Sequence, residues 1–221
     1  MLNFQIKICG ITNAKDAQAA QAAGADSIGL NFYSRSLRSV KLEKAAAIVD
    51  AIDDIVKVGV FVNEDVDRTN ELATQLGLDL IQLHGDETPE MITKLKSPVM
   101  RAIRVMDGDF DAAKKEVEIW QKAGGVAVLL DTGSRKQFGG TGTQLDWDHM
   151  SKQQFGVPGL PELPLVLAGG LNCDNVAQAI RQVRPSAVDV ASGIEKFPGV
   201  KDHDLMRQYI ESARTAFDTS N

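Results

Sequence analysis

The chain has 221 residues, of which 43% are hydrophobic and 24% are charged, and its formal net charge is −6. This composition is that of an ordinary globular protein with enough chain to bury a sizeable core. The acidic balance, with both signs spread along the sequence, argues against a surface that binds nucleic acid. No run approaches the roughly 20 apolar residues that a membrane-spanning helix needs. We therefore expect neither a nucleic-acid partner nor a membrane segment.

The number and spacing of the cysteines and histidines indicate the expected cellular location and whether a metal site is expected. The two cysteines, Cys9 and Cys173, form no paired spacing and are too few for a disulfide framework. A reducing cytoplasm is the expected location, and the N-terminus has no basic region followed by an apolar run that would predict a secretory signal. No cluster of His, Cys, Asp and Glu has metal-ligand spacing, so we expect no metal.

Short β-rich runs alternate with helical patterns from end to end, which predicts a parallel sheet. The predicted strands are Phe4–Cys9, Ser27–Asn31, Val56–Val62, Asp79–Leu83, Val99–Val105, Val126–Asp131, Leu165–Leu167 and Ala187–Val190. The predicted helices are Ala14–Ala23, Leu42–Ile52, Asp65–Leu76, Pro89–Lys96, Asp111–Ala123, a weak helix from near Asp146, Asn175–Val183 and His203–Phe217. About eight strand–helix repeats are what a (β/α)8 barrel requires.

We therefore expect an α/β protein, a single (β/α)8 TIM barrel spanning residues 1–221. The competing architecture is an open doubly wound sheet, which favours a GxGxxG turn after the first strand. The turn here reads Cys9-Gly10-Ile11-Thr12-Asn13 and does not fit that pattern.

Glycine-bearing turns follow the last three predicted strands, at the rim where such barrels place their functional residues. Glycines let backbone N–H groups converge on an anion, although any one Gly-Gly pair is better explained as a tight turn. Three such turns on consecutive loops favour a phosphate site. The candidate phosphate-binding residues are Gly140, Thr141, Gly142, Gly169, Gly170, Ala191, Ser192 and Gly193.

Lys7 and Cys9 share one face of the first predicted strand because side chains alternate along a strand. Ile6 and Ile8 are the better candidates to pack against the helices, which points Lys7 and Cys9 into the barrel. A nearby ammonium group favours the thiolate form of a cysteine. The alternatives are a small buried cysteine and an internal ion pair between Lys7 and Asp189 on the adjacent last strand.

Asp131 ends the sixth predicted strand and is a candidate partner for Cys9 across the barrel mouth. An acid and a base that flank a substrate can move protons between its neighbouring atoms. The alternative interpretation is that Asp131 only caps the loop that follows the strand. The ordinary interpretation of Arg38 is a loop arginine exposed to solvent. The alternative is that its loop folds over the barrel mouth and Arg38 binds an anionic group of a ligand. His84 is read either as a packed histidine or as a site residue.

At these residues the sequence resembles the phosphoribosylanthranilate isomerase family of tryptophan biosynthesis. The motifs that carry the resemblance span the chain in the family's order: Lys7-Ile8-Cys9-Gly10-Ile11-Thr12, Phe32-Tyr33 with Ser36 and Arg38, Gly59-Val60-Phe61-Val62-Asn63, Gln82-Leu83-His84-Gly85, Leu130-Asp131-Thr132, Gly139-Gly140-Thr141-Gly142, Gly169-Gly170-Leu171-Asn172 and Asp189-Val190-Ala191-Ser192-Gly193-Ile194-Glu195. The departures are modest: Ala168 and Ala191 stand where serine is common.

The resemblance implies a cofactor-free Amadori rearrangement of a phosphorylated small molecule, N-(5'-phosphoribosyl)anthranilate. It implies Asp131 as general acid on the ring oxygen, Cys9 as general base on the C2′ proton, and Arg38 as the group that binds the anthranilate carboxylate. The other residues expected to contact substrate are His84, Asp189 and Lys7. A monomer or homodimer is expected.

Three alternatives stay open at this point. The first is another phosphosugar aldose–ketose isomerase on the same barrel. The second is a non-catalytic barrel that only binds a sugar phosphate, which intact Cys9 and Asp131 argue against. The third is a structural partner of neighbouring enzymes, which no exposed apolar run supports.

Overall fold

The computed structural model describes residues 4–106, 108–133, 147–150 and 162–220. Eight parallel strands, in chain order, close into a barrel. They are β1 (Ile6–Cys9), β2 (Ser27–Asn31), β3 (Val56–Phe61), β4 (Leu80–Leu83), β5 (Val99–Met106), β6 (Ala127–Gly133), β7 (Leu165–Leu167) and β8 (Ala187–Val190). The predicted (β/α)8 barrel is therefore confirmed.

The helices follow the strands as the sequence pattern predicts. They are α1 (Ala14–Ala22), α2 (Leu42–Val49), α3 (Val66–Leu76), α4 (Phe110–Lys122), α5 (Trp147–Met150), α6 (Val176–Val183) and α7 (His203–Thr219). Among the described residues, no helix is both long enough and apolar enough to cross a membrane.

Local side-chain chemistry explains where α3 begins and ends. The Asp65 side chain accepts hydrogen bonds from the backbone N–H groups of Asp67 and Arg68, which otherwise lack partners at a helix start. Gly77 ends the helix with φ of 57°, a left-handed conformation that glycine adopts without steric cost. Both boundaries agree with the sequence prediction to within one residue.

Two elements differ from the sequence prediction. The segment Pro89–Lys94 is a 3₁₀ helix rather than an α-helix, a form common in short connecting pieces. A small hairpin, β9 (Glu195–Phe197) and β10 (Val200–Lys201), follows the last barrel strand and was not predicted. Its strands are too short to produce a readable period of alternation.

Alternation along β6 separates two apolar clusters. Val128 and Leu130 belong to a cluster that includes helix residues such as Trp120. Ala127 and Leu129 belong to a second cluster drawn from the barrel strands and their ends. Because successive side chains of a strand point to opposite faces, the first cluster joins the barrel to its helices and the second fills the barrel interior.

Candidate active site

A cavity of about 530 Å³ opens at the C-terminal ends of the barrel strands. In such barrels this end carries the loops that vary between enzymes, while the strands below stay packed. Several of the predicted site residues line this one cavity: Cys9, Arg38, His84, Asp131, Asp189 and Ala191.

Lys7 lies beneath the cavity, fully buried, and its Nζ donates a hydrogen bond of 2.8 Å to Asp189 Oδ1. Strands β1 and β8 are neighbours with Lys7 opposite Asp189 in the register, so the ion pair follows from barrel closure. Burial disfavours the Lys7 ammonium, but Asp189 and Cys9 outweigh this effect and raise the Lys7 pKa. The internal ion pair suggested for Lys7 is confirmed, and Lys7 itself does not line the cavity.

The thiol of Cys9 does not have the thiolate character expected from its lysine neighbour. Burial, together with the negative charge of Asp189, raises the pKa of Cys9, and the opposing effects of Lys7 and Lys201 are too weak to reverse it. The prediction was wrong because burial, the largest effect, and the charge of Asp189, which also neutralises Lys7, both disfavour the thiolate. The resting cysteine is therefore mainly a thiol near neutral pH.

Gly29 provides the space that Cys9 and Lys7 occupy. A Cβ atom at this position would lie 2.9 Å from Cys9 Sγ and 3.1 Å from Lys7 Nζ. Gly29 is opposite Cys9 in the register of β1 and β2, so the contact is set by the barrel itself. Sequence reasoning missed this residue because its role depends on a neighbouring strand.

We expect Gly29→Ala to lower kcat by about a hundredfold, since a displacement of about 1 Å at a catalytic atom can cost that much. Steady-state kinetics and thermal unfolding of the purified variant measure the effect. Gly59→Ala is the matched control, because its added methyl would meet Leu78 and Phe61 instead. The control should lose stability rather than turnover, and an unchanged kcat for Gly29→Ala would contradict the role given to Gly29.

Asp131 is 6% exposed and lies at the cavity wall beside His84. His84 Nε2 is 3.5 Å from Asp131 Oδ2, a close approach rather than a good hydrogen bond. Gln82 Nε2 lies 3.0 Å from His84 Nδ1, and the amide in this orientation donates to that nitrogen. With the amide in this orientation, a neutral His84 carries its proton on Nε2, the atom facing Asp131.

The loop that carries His84 is held by Glu87, a residue that sequence reasoning missed. The Glu87 carboxylate accepts hydrogen bonds from the backbone N–H groups of Asn63, at 2.7 Å, and Gly85, at 2.8 Å. It also accepts one of 2.7 Å from Arg101 Nη1, a side chain that is itself buried. These bonds hold the loops after β3 and β4 together and so limit where His84 can lie.

Arg38 reaches the cavity from the loop after β2, but its guanidinium group is paired with Glu195 of the β9–β10 hairpin. Nε donates to Oε1 at 2.8 Å and Nη2 donates to Oε2 at 2.7 Å. The side chain lies over Gly10, where a Cβ atom would be 2.5 Å from Arg38 Cδ. Sequence reasoning quoted Glu195 only as part of a motif and gave Lys201, its other partner, no role.

The predicted glycine turns after β7 and β8 contact each other. Gly169 and Gly170 have φ of 82° and 67°, which glycine tolerates best. A Cβ atom on Gly193 would lie 2.0 Å from the Leu171 carbonyl oxygen, so the two turns meet backbone to backbone. Ser192–Ile194 forms a short 3₁₀ helix. The third predicted turn, with Gly140, Thr141 and Gly142, lies outside the described residues.

Comparison with known proteins decides the family. The sequence profile of N-(5'-phosphoribosyl)anthranilate (PRA) isomerase matches residues 6–212. The chain belongs to this family. It is 43% identical to N-(5'-phosphoribosyl)anthranilate isomerase of Pseudomonas fluorescens over 211 residues, which is 95% of each chain.

Solved structures of PRA isomerases share the fold. The Thermotoga maritima enzyme superposes with a TM-score of 0.82 at 37% identity, covering 96% of this chain and 99% of its own. A PRA isomerase in complex with reduced 1-(o-carboxyphenylamino)-1-deoxyribulose 5-phosphate superposes with a TM-score of 0.77 at 35% identity, with the same coverages. Sequence and fold therefore agree that the chain is a member of the PRA isomerase family, whose enzymes serve tryptophan biosynthesis.

Proposed function

We propose that this member of the PRA isomerase family converts N-(5'-phosphoribosyl)anthranilate into 1-(2-carboxyphenylamino)-1-deoxyribulose 5-phosphate, with Asp131 as general acid and Cys9 as general base. The observation that carries the assignment is that Cys9, from β1, and Asp131, from β6, line the same cavity. Its volume of about 530 Å³ falls in the range typical of small-molecule sites.

The step assigned to Asp131 is ring opening. Its carboxylic acid proton is transferred to the furanose ring oxygen while the C1′–O bond breaks and the anthranilate nitrogen lone pair forms a C1′=N double bond. The product is an open-chain Schiff base carrying a new hydroxyl group, and Asp131 is left as a carboxylate. General acid catalysis of this kind contributes about 10²- to 10⁴-fold.

The step assigned to Cys9 is removal of the C2′ proton. The thiolate takes the proton, the C2′–H electrons form a C1′=C2′ double bond, and the Schiff base nitrogen recovers its lone pair. The resulting enolamine tautomerises to the ketone product. Because the Cys9 pKa is raised, only the deprotonated fraction of the free enzyme carries out this step.

The two anionic ends of the substrate, the carboxylate and the phosphate, are assigned to two separate subsites. The anthranilate carboxylate is assigned to Arg38, and further contacts with the substrate are assigned to His84 and Asp189, which line the same cavity. Lys7, which is fully buried, acts through Asp189 and Cys9. The phosphate is assigned to backbone donors of the glycine turns at Gly140, Thr141, Gly142, Gly169, Gly170, Ala191, Ser192 and Gly193.

A turnover assay with purified protein and N-(5'-phosphoribosyl)anthranilate, followed spectroscopically, tests this function directly. We expect conversion without an added cofactor or metal. An aminoaldose phosphate assayed in parallel tests the alternative of another aldose–ketose isomerase. Tight binding of the anthranilate substrate with no conversion would overturn the proposal in favour of a binding protein.

Location and oligomeric state also belong to the proposal. We place the enzyme in the cytoplasm, a location supported by its two cysteines, Cys9 and Cys173, which are both unpaired. We expect a monomer or homodimer, and light scattering at several protein concentrations distinguishes the two.

A further inference from the structure

We propose that Glu195 is a positioning residue that orients Arg38 toward the carboxylate on the substrate's aromatic ring. The inference rests on the proposed function. Arg38 lines the cavity and Glu195 does not, so Glu195 acts through the arginine rather than on the substrate.

The geometry of the pair leaves one side of the guanidinium group open to a ligand. The Glu195 carboxylate accepts two hydrogen bonds from Arg38, one from Nε at 2.8 Å and one from Nη2 at 2.7 Å, and we call this paired arrangement the fork. Nη1 has no hydrogen-bond partner within the part of the chain that the structure describes. A forked arginine–carboxylate pair sets the plane of the guanidinium group as well as its position. The remaining N–H groups of Arg38 therefore have a defined direction at the cavity wall.

Glu195 is itself held in place by a buried lysine. Lys201 Nζ donates to Glu195 Oε1 at 2.9 Å, and the two side chains are 0% and 4% exposed. Burial raises the pKa of Glu195, but Arg38 and Lys201 outweigh it and hold the pKa below its usual range, so the carboxylate is ionised near neutral pH. Burial lowers the pKa of Lys201, and Glu195 opposes this by stabilising the ammonium. With Lys201 protonated, the three groups carry one net positive charge beside the cavity.

The same network reaches the loop assigned to the phosphate. Lys201 Nζ also donates to the Ala191 carbonyl oxygen at 2.9 Å, and Ala191 lies directly after β8. The backbone N–H of Lys201 donates to Asp16 of α1 at 3.0 Å, which fastens the β9–β10 hairpin to the barrel. The hydrogen bonds of Lys201 therefore fix the hairpin that carries Glu195, and the contact between Glu195 and Arg38 is set by the fold rather than by a mobile loop.

Two effects of removing the Glu195 charge oppose each other. On charge alone, the excess positive charge at Arg38 would grow and a carboxylate ligand would bind more tightly. That gain is reduced by solvent, because the Arg38 side chain is 18% exposed. Loss of the fork frees a long side chain with several rotatable bonds, and the ligand must then order it. We expect orientation to outweigh charge, so that binding weakens.

The experiment compares the binding of two product analogues to the intact chain by calorimetry. One is reduced 1-(o-carboxyphenylamino)-1-deoxyribulose 5-phosphate, and the other is the same molecule without the ring carboxylate. We expect Glu195→Gln to weaken binding of the first by about tenfold or more and of the second by less than about threefold. In turnover, KM should rise while kcat changes little.

A double-mutant cycle with Arg38→Ala tests whether Glu195 acts through the arginine. Arg38→Ala alone should remove the preference for the carboxylate analogue, and adding Glu195→Gln should change that preference no further. Glu195→Asp keeps the charge beside Lys201 but is too short for the fork, so it serves as the variant least prone to misfold. It should show an intermediate loss of preference.

The matched control is Asp26→Asn, which removes another arginine-paired carboxylate. Asp26 accepts from Arg214 at 2.7 Å and from the start of β1, at the end of the barrel opposite the cavity. This variant should lower the unfolding temperature without changing the preference between the analogues.

Four outcomes would overturn the inference. Equal weakening of both analogues by Glu195→Gln would make Glu195 a residue of general structural importance, and tighter binding of the carboxylate analogue would show that charge outweighs orientation. If the wild-type protein bound both analogues equally well, Arg38 would not be a carboxylate site, although turnover would stand. If it bound neither and showed no turnover, the proposed function and this inference would fail together.

Discussion

Replacing Asp131 with asparagine is expected to lower kcat about a thousandfold, which corresponds to about 4 kcal/mol of transition-state stabilisation. The amide has nearly the shape of the carboxyl group but cannot deliver a proton to the ring oxygen. Asp131 is 6% exposed, so water has little access to replace it. Binding of the ring carboxylate and the phosphate is assigned to other groups, and the variant should therefore bind substrate with nearly unchanged affinity.

Single-turnover kinetics and calorimetry with the reduced product analogue separate these two effects for Asp131→Asn. A kcat within about threefold of the wild type would remove Asp131 from the mechanism. An equal loss of affinity and turnover would instead show that the carboxylate holds the site together, for example through its approach to His84.

The second large effect is expected for Cys9→Ser, whose kcat should also fall about a thousandfold because a serine hydroxyl is far harder to deprotonate than a thiol. Cys173→Ser is the matched control. Cys173 lies outside the cavity, with its Sγ donating to the Leu205 carbonyl oxygen at 3.2 Å, and its replacement should leave kcat nearly unchanged. Full activity of Cys9→Ser would assign the base to another residue.

The pH dependence of the wild type gives an independent test of Cys9. The thiolate is the form that an alkylating reagent attacks, so the labelling rate of Cys9 should rise as pH increases through the cysteine pKa. Burial and Asp189 raise that pKa, which places the midpoint above that of an ordinary thiol. Alkylation of Cys9 by iodoacetamide should be slow at neutral pH and accelerate over the same range. Rapid labelling at neutral pH would show that Lys7 and Lys201 control the thiol after all.

The sequence pattern was sufficient for the barrel and for the side of β1 that faces its interior. Strict alternation at Ile6, Lys7, Ile8 and Cys9 permits only one assignment of faces, and both isoleucines are fully buried in the cluster shared with the helices. The pair between Lys7 and Asp189 could also be expected, since a closed eight-stranded barrel makes the first and last strands neighbours.

Two features of the site were not predictable in this way. The fork between Arg38 and Glu195 joins residues 157 positions apart through a hairpin too short to leave a pattern. The thiol chemistry of Cys9 was predicted with the wrong sign, because burial, which has the largest effect on the Cys9 pKa, and the action of the Asp189 charge on the sulfur depend on the closed barrel and not on the spacing of residues in β1.

By itself, then, the order of residues determined the fold, the family and the strand ends from which the proposed acid and base come. Those properties depend on local periodicity and on motifs, and both are properties of the linear sequence. Only the tertiary structure decided the ionisation of Cys9, the space left by Gly29 and the direction of Arg38. Electrostatic and steric effects depend on distances of a few ångströms between separate strands and loops, and one-dimensional spacing does not determine such distances.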